Sequence, residues 1–350
     1  MIPKETWYKL LEFATQAPSG DNGQPWRFVV QDDVLEIYNV PGKDTSIYNY
    51  NQRGSMIAHG ALIENLVIAG QELGFNTSVS AFPSVSEPDC IVRITLDKTE
   101  PKQHPLFAAI ATRTTNRKKY DGSAITERER SALIQAGNGL LNLIEDKDRI
   151  SKLARAISVN EIILFSNPVL HKHFFDYLRW NAKEEKLSGD GFFVKTLEVK
   201  APTPVFKMMS HWSIMKLLRK LGIPNKIGSE NEQVYASSSA VGFISIPGNQ
   251  PRDYFEAGRV FERVWLTSTS LGLYIQPTTG VIYMHENLKF GYSGPLTPDE
   301  QSQVTDAYEV IRSISEIGAR TIAVLFRIGR GEPPSAKAVR IPVSKLVEFS

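Results

Sequence analysis

The sequence predicts a mixed α and β architecture assembled in two related halves, and three observations carry that expectation. A long apolar helix pattern occurs twice, since Gly60, Glu64 and the pair Leu73-Gly74 reappear as Gly258, Glu262 and Leu271-Gly272, all shifted by one constant interval. Strand-like sequence follows each copy. Helical and alternating patterns then succeed one another along most of the chain. Two such helices predict half-units packed through them, a dimer interface built within one polypeptide.

In order, Trp7, Leu10, Leu11, Phe13 and Ala14 recur at helical spacing, and Pro18 stops that helix because it has no amide to donate. Trp26–Val30 and Val34–Asn39 read as a hairpin around Gln31-Asp32-Asp33. The run from Ile57 to Leu73 is apolar enough to be buried on most sides, and Gly74 is placed to end it in the left-handed conformation. Ser78–Phe82 and Ile91–Leu96 read as strands, and the polar, proline-bearing stretch from Asp97 to Pro105 as a linker. Helical patterns follow near Leu106–Ala111 and Thr126–Ala136, and another from Ile150 to Leu178 breaks at Asn167-Pro168. The division implied is a first half-unit over 1–100 and a second over 105–350.

Composition excludes several function classes. The chain has 350 residues, 42% of them hydrophobic and 22% charged, with a net charge of +2, so no excess of positive charge argues for nucleic acid. Its one cysteine, Cys90, excludes an intrachain disulfide and fits a reducing compartment. No basic-then-apolar leader is evident at Met1 to Lys9, and no apolar run is long enough for a bilayer. These features predict a cytoplasmic protein with no membrane partner.

The chemistry concentrates where the first helix stops. Ala17-Pro18-Ser19-Gly20-Asp21-Asn22-Gly23-Gln24-Pro25-Trp26 offers hydroxyl, amide and backbone donors on a chain loosened by two glycines. Taken alone it also reads as an ordinary turn with Trp26 in the core. Pro-Ser, then Asn, then Gln-Pro-Trp followed by an aromatic residue and β-branched residues resembles the signature of the nitroreductase family of FMN flavoproteins. That resemblance implies an α+β fold in which each flavin lies between two subunits, with the Pro-Ser…Asn segment from one and an Arg-x-Ser-x-Arg/Lys segment from the other.

Arg113-Thr114-Thr115-Asn116-Arg117 resembles the second segment, with Thr115 keeping the hydroxyl of the serine it replaces. By the resemblance, Arg113, Thr115 and Arg117 hold the phosphate and pyrimidine end of FMN, where guanidiniums make charge-assisted bonds. Pro18, Ser19, Asn22 and Gln24 line it from the opposite half-unit. Pro277-Thr278-Thr279-Gly280 is similar to the family's loop at flavin N5, with Thr279 presenting a backbone donor there. Arg340-Ile341-Pro342 resembles the closing Arg-x-Pro segment. The family's lysine two places before that arginine is Ala338 here, with Lys337 one place earlier, which leaves the second phosphate contact open. Neither half completes a second such site, so one flavin per chain is expected.

The resemblance skips about 179–233. Leu178-Arg179-Trp180-Asn181, Gly189-Asp190-Gly191-Phe192 and Thr196-Leu197-Glu198 resemble a segment of the tandem, Acg-like branch, some members of which cover the pocket. Met208, Met209, Trp212, Ile214, Met215, Leu217 and Leu218 lie here among Lys207, Lys216, Arg219 and Lys220. A lid packed on the core with its basic face in water is the plainest reading. A partner-binding or membrane-surface helix is the alternative. His171 and His173, two apart, face different ways on a helix and make a poor metal pair, so surface histidines and no metal are expected. Gly329-Arg330-Gly331 reads as a turn.

The expected function is therefore FMN-dependent oxidoreduction in which NAD(P)H reduces the flavin and a nitro, quinone or related electrophilic substrate reoxidises it, with no catalytic acid or base identified. The alternatives are a flavin-sequestering or cofactor-free protein with a closed lid, and a flavin-dependent dehydrogenase in biosynthesis. As a pseudo-dimer the chain is expected to be a monomer or a higher oligomer.

Overall fold

The computed structural model describes residues 2–350 and shows an α+β protein with thirteen α-helices and eleven strands among those residues. The first part runs α1 (Lys4–Ala14), β1 (Trp26–Gln31), β2 (Val34–Asn39), α2 (Arg53–Glu72), β3 (Phe75–Ala81), β4 (Cys90–Lys98) and α3 (Phe107–Thr112). The middle runs α4 (Glu127–Ala136), β5 (Leu141–Ile144), α5 (Lys147–Ser166), α6 (Pro168–Asp176), β6 (Leu178–Arg179), α7 (Ala182–Ser188), β7 (Phe192–Phe193), α8 (Thr203–Met209), α9 (Trp212–Lys220) and α10 (Ile223–Ala236). The last part is β8 (Ala240–Ile246), α11 (Pro251–Ser270), β9 (Tyr274–Pro277), α12 (Gly280–Lys289), α13 (Pro298–Ser315), β10 (Thr321–Gly329) and β11 (Val347–Phe349).

Two sheets flank the paired helices α2 and α11. One has the order β11-β1-β2-β4-β3 and the other β5-β8-β10-β9. The hairpin forms as patterned, because Asp32 and Asp33 both take positive φ, the geometry of a tight two-residue connection. β10 continues to Gly329, so the Gly329-Arg330-Gly331 stretch begins as strand, and Arg330 and Gly331 that follow are irregular and form no turn. The end of the chain returns to the first sheet, where β11 pairs in parallel with β1 through Phe28↔Val347. A local apolar pattern cannot signal that long-range pairing.

The two 20-residue helices are the centre of the core. Leu62 and Leu66 of α2 share one apolar cluster with Phe261 and Trp265 of α11, with Phe28 of the first sheet and with Phe326 of the second. Both helices end as their sequence predicts, at Gly74 with φ +81 and Gly272 with φ +72. Asn167 caps α6 by accepting from the amides of Val169 and Leu170, which explains the break before Pro168.

Candidate active site

Helix α1 delivers the chain into a turn whose backbone is unusual. Asp21, Asn22 and Gln24 all have positive φ, a conformation that costs non-glycine residues energy and that surrounding contacts must hold. Those contacts come from the far end of the chain and from the insertion. Asn22 Nδ2 donates to the Val339 carbonyl at 3.1 Å. Gln24, fully buried, donates through Nε2 to the Gly189 carbonyl at 2.8 Å and accepts through Oε1 from the Ile341 amide at 2.9 Å. Ser19 Oγ accepts from the Gln24 amide at 3.0 Å.

A cavity of about 80 Å³ opens against this turn. Pro18, Ser19 and Asn22 line it from one side and Arg113, Thr115 and Arg117 from the other, so two segments distant in sequence meet there. Gly191, Phe192 and Thr196 of the insertion and Lys337, Ala338 and Arg340 complete it. The Asn22 Oδ1 atom is buried without a hydrogen-bond partner.

The cations around the cavity have different duties. Arg113 Nε lies 3.2 Å from Glu262 Oε1, an ion contact not aligned as a hydrogen bond, and the guanidinium sits over the Trp265 ring at 4.5 Å. Burial pushes the Glu262 carboxyl up to about 7 and the Arg113 guanidinium down. An arginine resists losing its proton, so Arg113 stays cationic beside a carboxyl that burial raises. Arg340 donates to the carbonyls of Thr15, Gln16 and Ala17 just beyond α1 and to those of Ala338 and Val339, and burial lowers it to about 9. It fixes the entrance to the turn. Arg117 uses Nη1 on the Thr196 carbonyl at 2.9 Å, and burial lowers its pKa also.

Lys337 lines the cavity beside Ala338. Its Nζ donates to the Ala111 carbonyl at 2.6 Å while the residue lines the cavity, and burial lowers it to about 8. An ammonium carries three donors, so others remain for a ligand.

Pro277, Thr278, Thr279 and Gly280 are not among the residues lining this cavity, although they run from the end of the adjacent strand β9 to the start of α12. Thr115 bridges Ile275, and the Asn116 amide donates to the Ile275 carbonyl at 3.2 Å. The Thr278 amide and the Thr279 hydroxyl both donate to the Leu325 carbonyl, which pins the loop to β10. Gly280 opens α12 against Asn160, whose Oδ1 would lie 2.1 Å from an added Cβ, so a larger residue there would displace the Asn160 side chain. Gln24 acts from behind the cavity wall.

Other residues near these segments carry no sequence signal that singles them out. Asn160 accepts from Tyr48 OH at 3.0 Å and donates to Glu161 Oε1 at 3.1 Å, and Tyr235 OH donates to the same oxygen at 2.9 Å. Glu161 Oε2 is buried without a partner, and burial raises this carboxyl to about 7. The histidines also depart from the surface reading. His171 is 1% exposed and donates through Nε2 to the Met209 carbonyl at 2.9 Å. His173 Nε2 lies 3.1 Å from Asp21 Oδ2, and that carboxylate raises its pKa. His173 thus ties α6 to the strained turn. No cluster of three or more metal-ligating side chains occurs among the described residues.

No protein-family model matches the chain. It is 25% identical over 293 residues to an uncharacterized protein of Mycobacterium tuberculosis (strain CDC 1551 / Oshkosh), covering 80% of this chain and 39% of that one. Two proteins of the same strain that bear the name "Putative NAD(P)H nitroreductase" match at 30% over 118 residues and at 24% over 183 residues, the latter being Acg. These matches cover 33% and 50% of this chain. The matched stretch spans 34% and 54% of those relatives' own lengths. Among solved structures, the FMN-dependent nitroreductase NfnB of Mycobacterium smegmatis in complex with NADPH aligns at TM-score 0.39 and 11% identity, covering 70% of this chain and 98% of that one. That likeness is too loose to assign residues. The matches to the two relatives named as nitroreductases each span half of this chain or less.

Proposed function

We propose that the chain is an FMN-dependent oxidoreductase in which NAD(P)H is the electron donor and a small electrophilic compound, a nitroarene or a quinone, is the acceptor. The observation that carries this reading is the meeting of Pro18, Ser19 and Asn22 with Arg113, Thr115 and Arg117 in one cavity. When bound, FMN supplies the hydride chemistry between donor and acceptor. The donor set fits its phosphate, because Arg117 and Lys337 keep donors free beside the cavity and charge-assisted bonds to phosphate are strong. Arg113 and Arg340 add positive potential while holding residues 15–17 in place. Asn22 Oδ1, without a partner, is available to an N–H donor. The Thr279 amide, at the head of α12, suits a fixed donor to the ring. Two half-units, 1–100 and 105–350 with the insertion at about 179–233, would contribute to this one site.

A cavity of about 80 Å³ holds an oxyanion but is well short of the several hundred Å³ that drug-sized ligands occupy. Admission of the ring therefore requires Phe192 and Thr196 to move off the cavity, with loss of the Arg117 bond to the Thr196 carbonyl. This small volume also favours a second reading, a protein whose lid stays closed and which works without cofactor turnover. Anaerobic addition of NADPH to protein loaded with FMN separates the two. Bleaching of the flavin's visible absorbance supports the oxidoreductase, whereas protein that remains colourless after incubation with FMN rejects it.

A further inference from the structure

The insertion has a second face that the candidate site does not use. Residues 199–229 contain six basic residues, Lys200, Lys207, Lys216, Arg219, Lys220 and Lys226, and no acidic one. The chain as a whole carries a net charge of only +2, so the remainder is net acidic and the positive charge is concentrated here. None of these six forms an ion pair with a carboxylate among the described residues.

The inner face of this segment is anchored. Phe206 of α8 and Met215 of α9 are buried in one cluster with Phe165, Phe175, Phe193 and Val194, and Trp212 and Leu218 pack partly against it. His171 ties α6 to α8 through the Met209 carbonyl. With those residues turned inward, the opposite side of α9 carries Leu217, 60% exposed, with Leu221 just beyond its end, 70% exposed. Four residues apart, they stand one turn above each other, and Lys216 and Lys220 form a parallel row about 100° around the helix. On the neighbouring α8, Val205 and Met208 are exposed, with Lys207 between them. Water has no use for such a ridge of apolar side chains.

We infer that α8 and α9 form a peripheral docking surface for an anionic lipid bilayer, with Leu217, Leu221 and Met208 entering the acyl boundary and Lys207, Lys216 and Lys220 meeting lipid phosphates. Charge complementarity and the mixed character of the surface favour this occupant. An acidic partner with no apolar face of its own would pair the lysines but leave Leu217 and Leu221 in water. A lipid interface takes both, because lysine stems lie along apolar surface while their ammonium groups reach the headgroups. No helix among the described residues is long and apolar enough to cross a membrane, so attachment is to the surface.

The test is co-sedimentation of the full chain with vesicles of phosphatidylcholine alone and with vesicles containing about one third phosphatidylglycerol, at low and high salt. Binding to the anionic vesicles is expected, at least about ten-fold above the neutral ones, and weaker at high salt. Leu217→Glu with Leu221→Glu should lower partitioning about ten-fold or more, and Lys216→Gln with Lys220→Gln should lower it several-fold and flatten the salt dependence. Circular dichroism and the thermal midpoint of each variant should match the parent, since all four side chains are exposed. Equal binding to both vesicle types, or variants that bind like the parent, would overturn the inference. So would sedimentation equilibrium showing a dimer that the Leu217 and Leu221 changes dissociate.

Discussion

Gly60 and Gly258 meet where α2 crosses α11. A Cβ added to Gly60 would lie 2.0 Å from the Phe255 carbonyl oxygen, and one added to Gly258 would lie 2.1 Å from the Ile57 carbonyl oxygen. Each helix rests directly on the other's backbone. The same two residues head the internal repeat in the sequence, so the repeat marks a contact that excludes a side chain.

Gly60→Ala and Gly258→Ala should each destabilise the protein by about 3 kcal/mol, because a methyl group there forces the central helices apart and disturbs the core on both sides. Chemical denaturation measures this. A loss below about 0.5 kcal/mol, the size of an ordinary surface change, would mean that the crossing yields easily.

Glu262→Leu should cost about 3–5 kcal/mol, since it leaves the Arg113 guanidinium buried without its counter-charge. The double variant Arg113→Leu with Glu262→Leu should recover much of that stability without recovering flavin binding. Parallel denaturation and flavin titration of the three variants check this. Full recovery of binding in the double variant would remove Arg113 from the site.

Arg117→Ala and Lys337→Ala should each weaken FMN binding by about ten- to a hundred-fold, in line with loss of one charge-assisted contact worth about 1.5–3 kcal/mol. Riboflavin, which lacks the phosphate, should bind the parent and both variants about equally. Fluorescence quenching of the two ligands provides the comparison, and a parallel loss of riboflavin binding would place these residues elsewhere than at the phosphate.

Glu161, Glu262 and His173 should contribute a share of stability that falls as pH rises from about 5 to 7.5. Burial raises Glu161 and Glu262 to about 7, well above the usual carboxyl range, and the Asp21 carboxylate raises His173. At these three groups the folded chain holds protons that the unfolded chain releases, so their share of the unfolding free energy declines with pH, against the opposite share of His59 and His285, which burial lowers to about 3 and about 4. The histidine's share is fully present below its unfolded pKa and is lost as pH rises through its folded one. Glu161→Gln should therefore make the slope of the thermal midpoint against pH more positive than the parent's across this window. Thermal midpoints of the two proteins test this, and identical slopes contradict it.

Much of this architecture was legible because it is written in local chemistry. Asp32-Asp33 permits the hairpin, Gly74 and Gly272 stop the long helices, and Asn167 caps α6 before Pro168. The two segments that meet at the cavity carried recognisable residue patterns. Glu161, Tyr235 and Tyr48 carried none, because their association depends on three helical elements meeting through side chains of ordinary identity. The Asp21–His173 contact and the pairing of β11 with β1 were hidden for the same reason. Lys337 was visible but displaced by one position, and only the path of the backbone shows that its ammonium reaches the cavity.

The most direct test is the number of flavins bound per chain, measured by equilibrium dialysis against FMN at saturating concentration. The composite site formed by the Asn22 turn and the Arg113–Arg117 segment predicts one FMN per chain, abolished by combining Asn22→Ala with Arg117→Ala while the fold persists. Two per chain, or none at concentrations that fill ordinary flavoproteins, would contradict it.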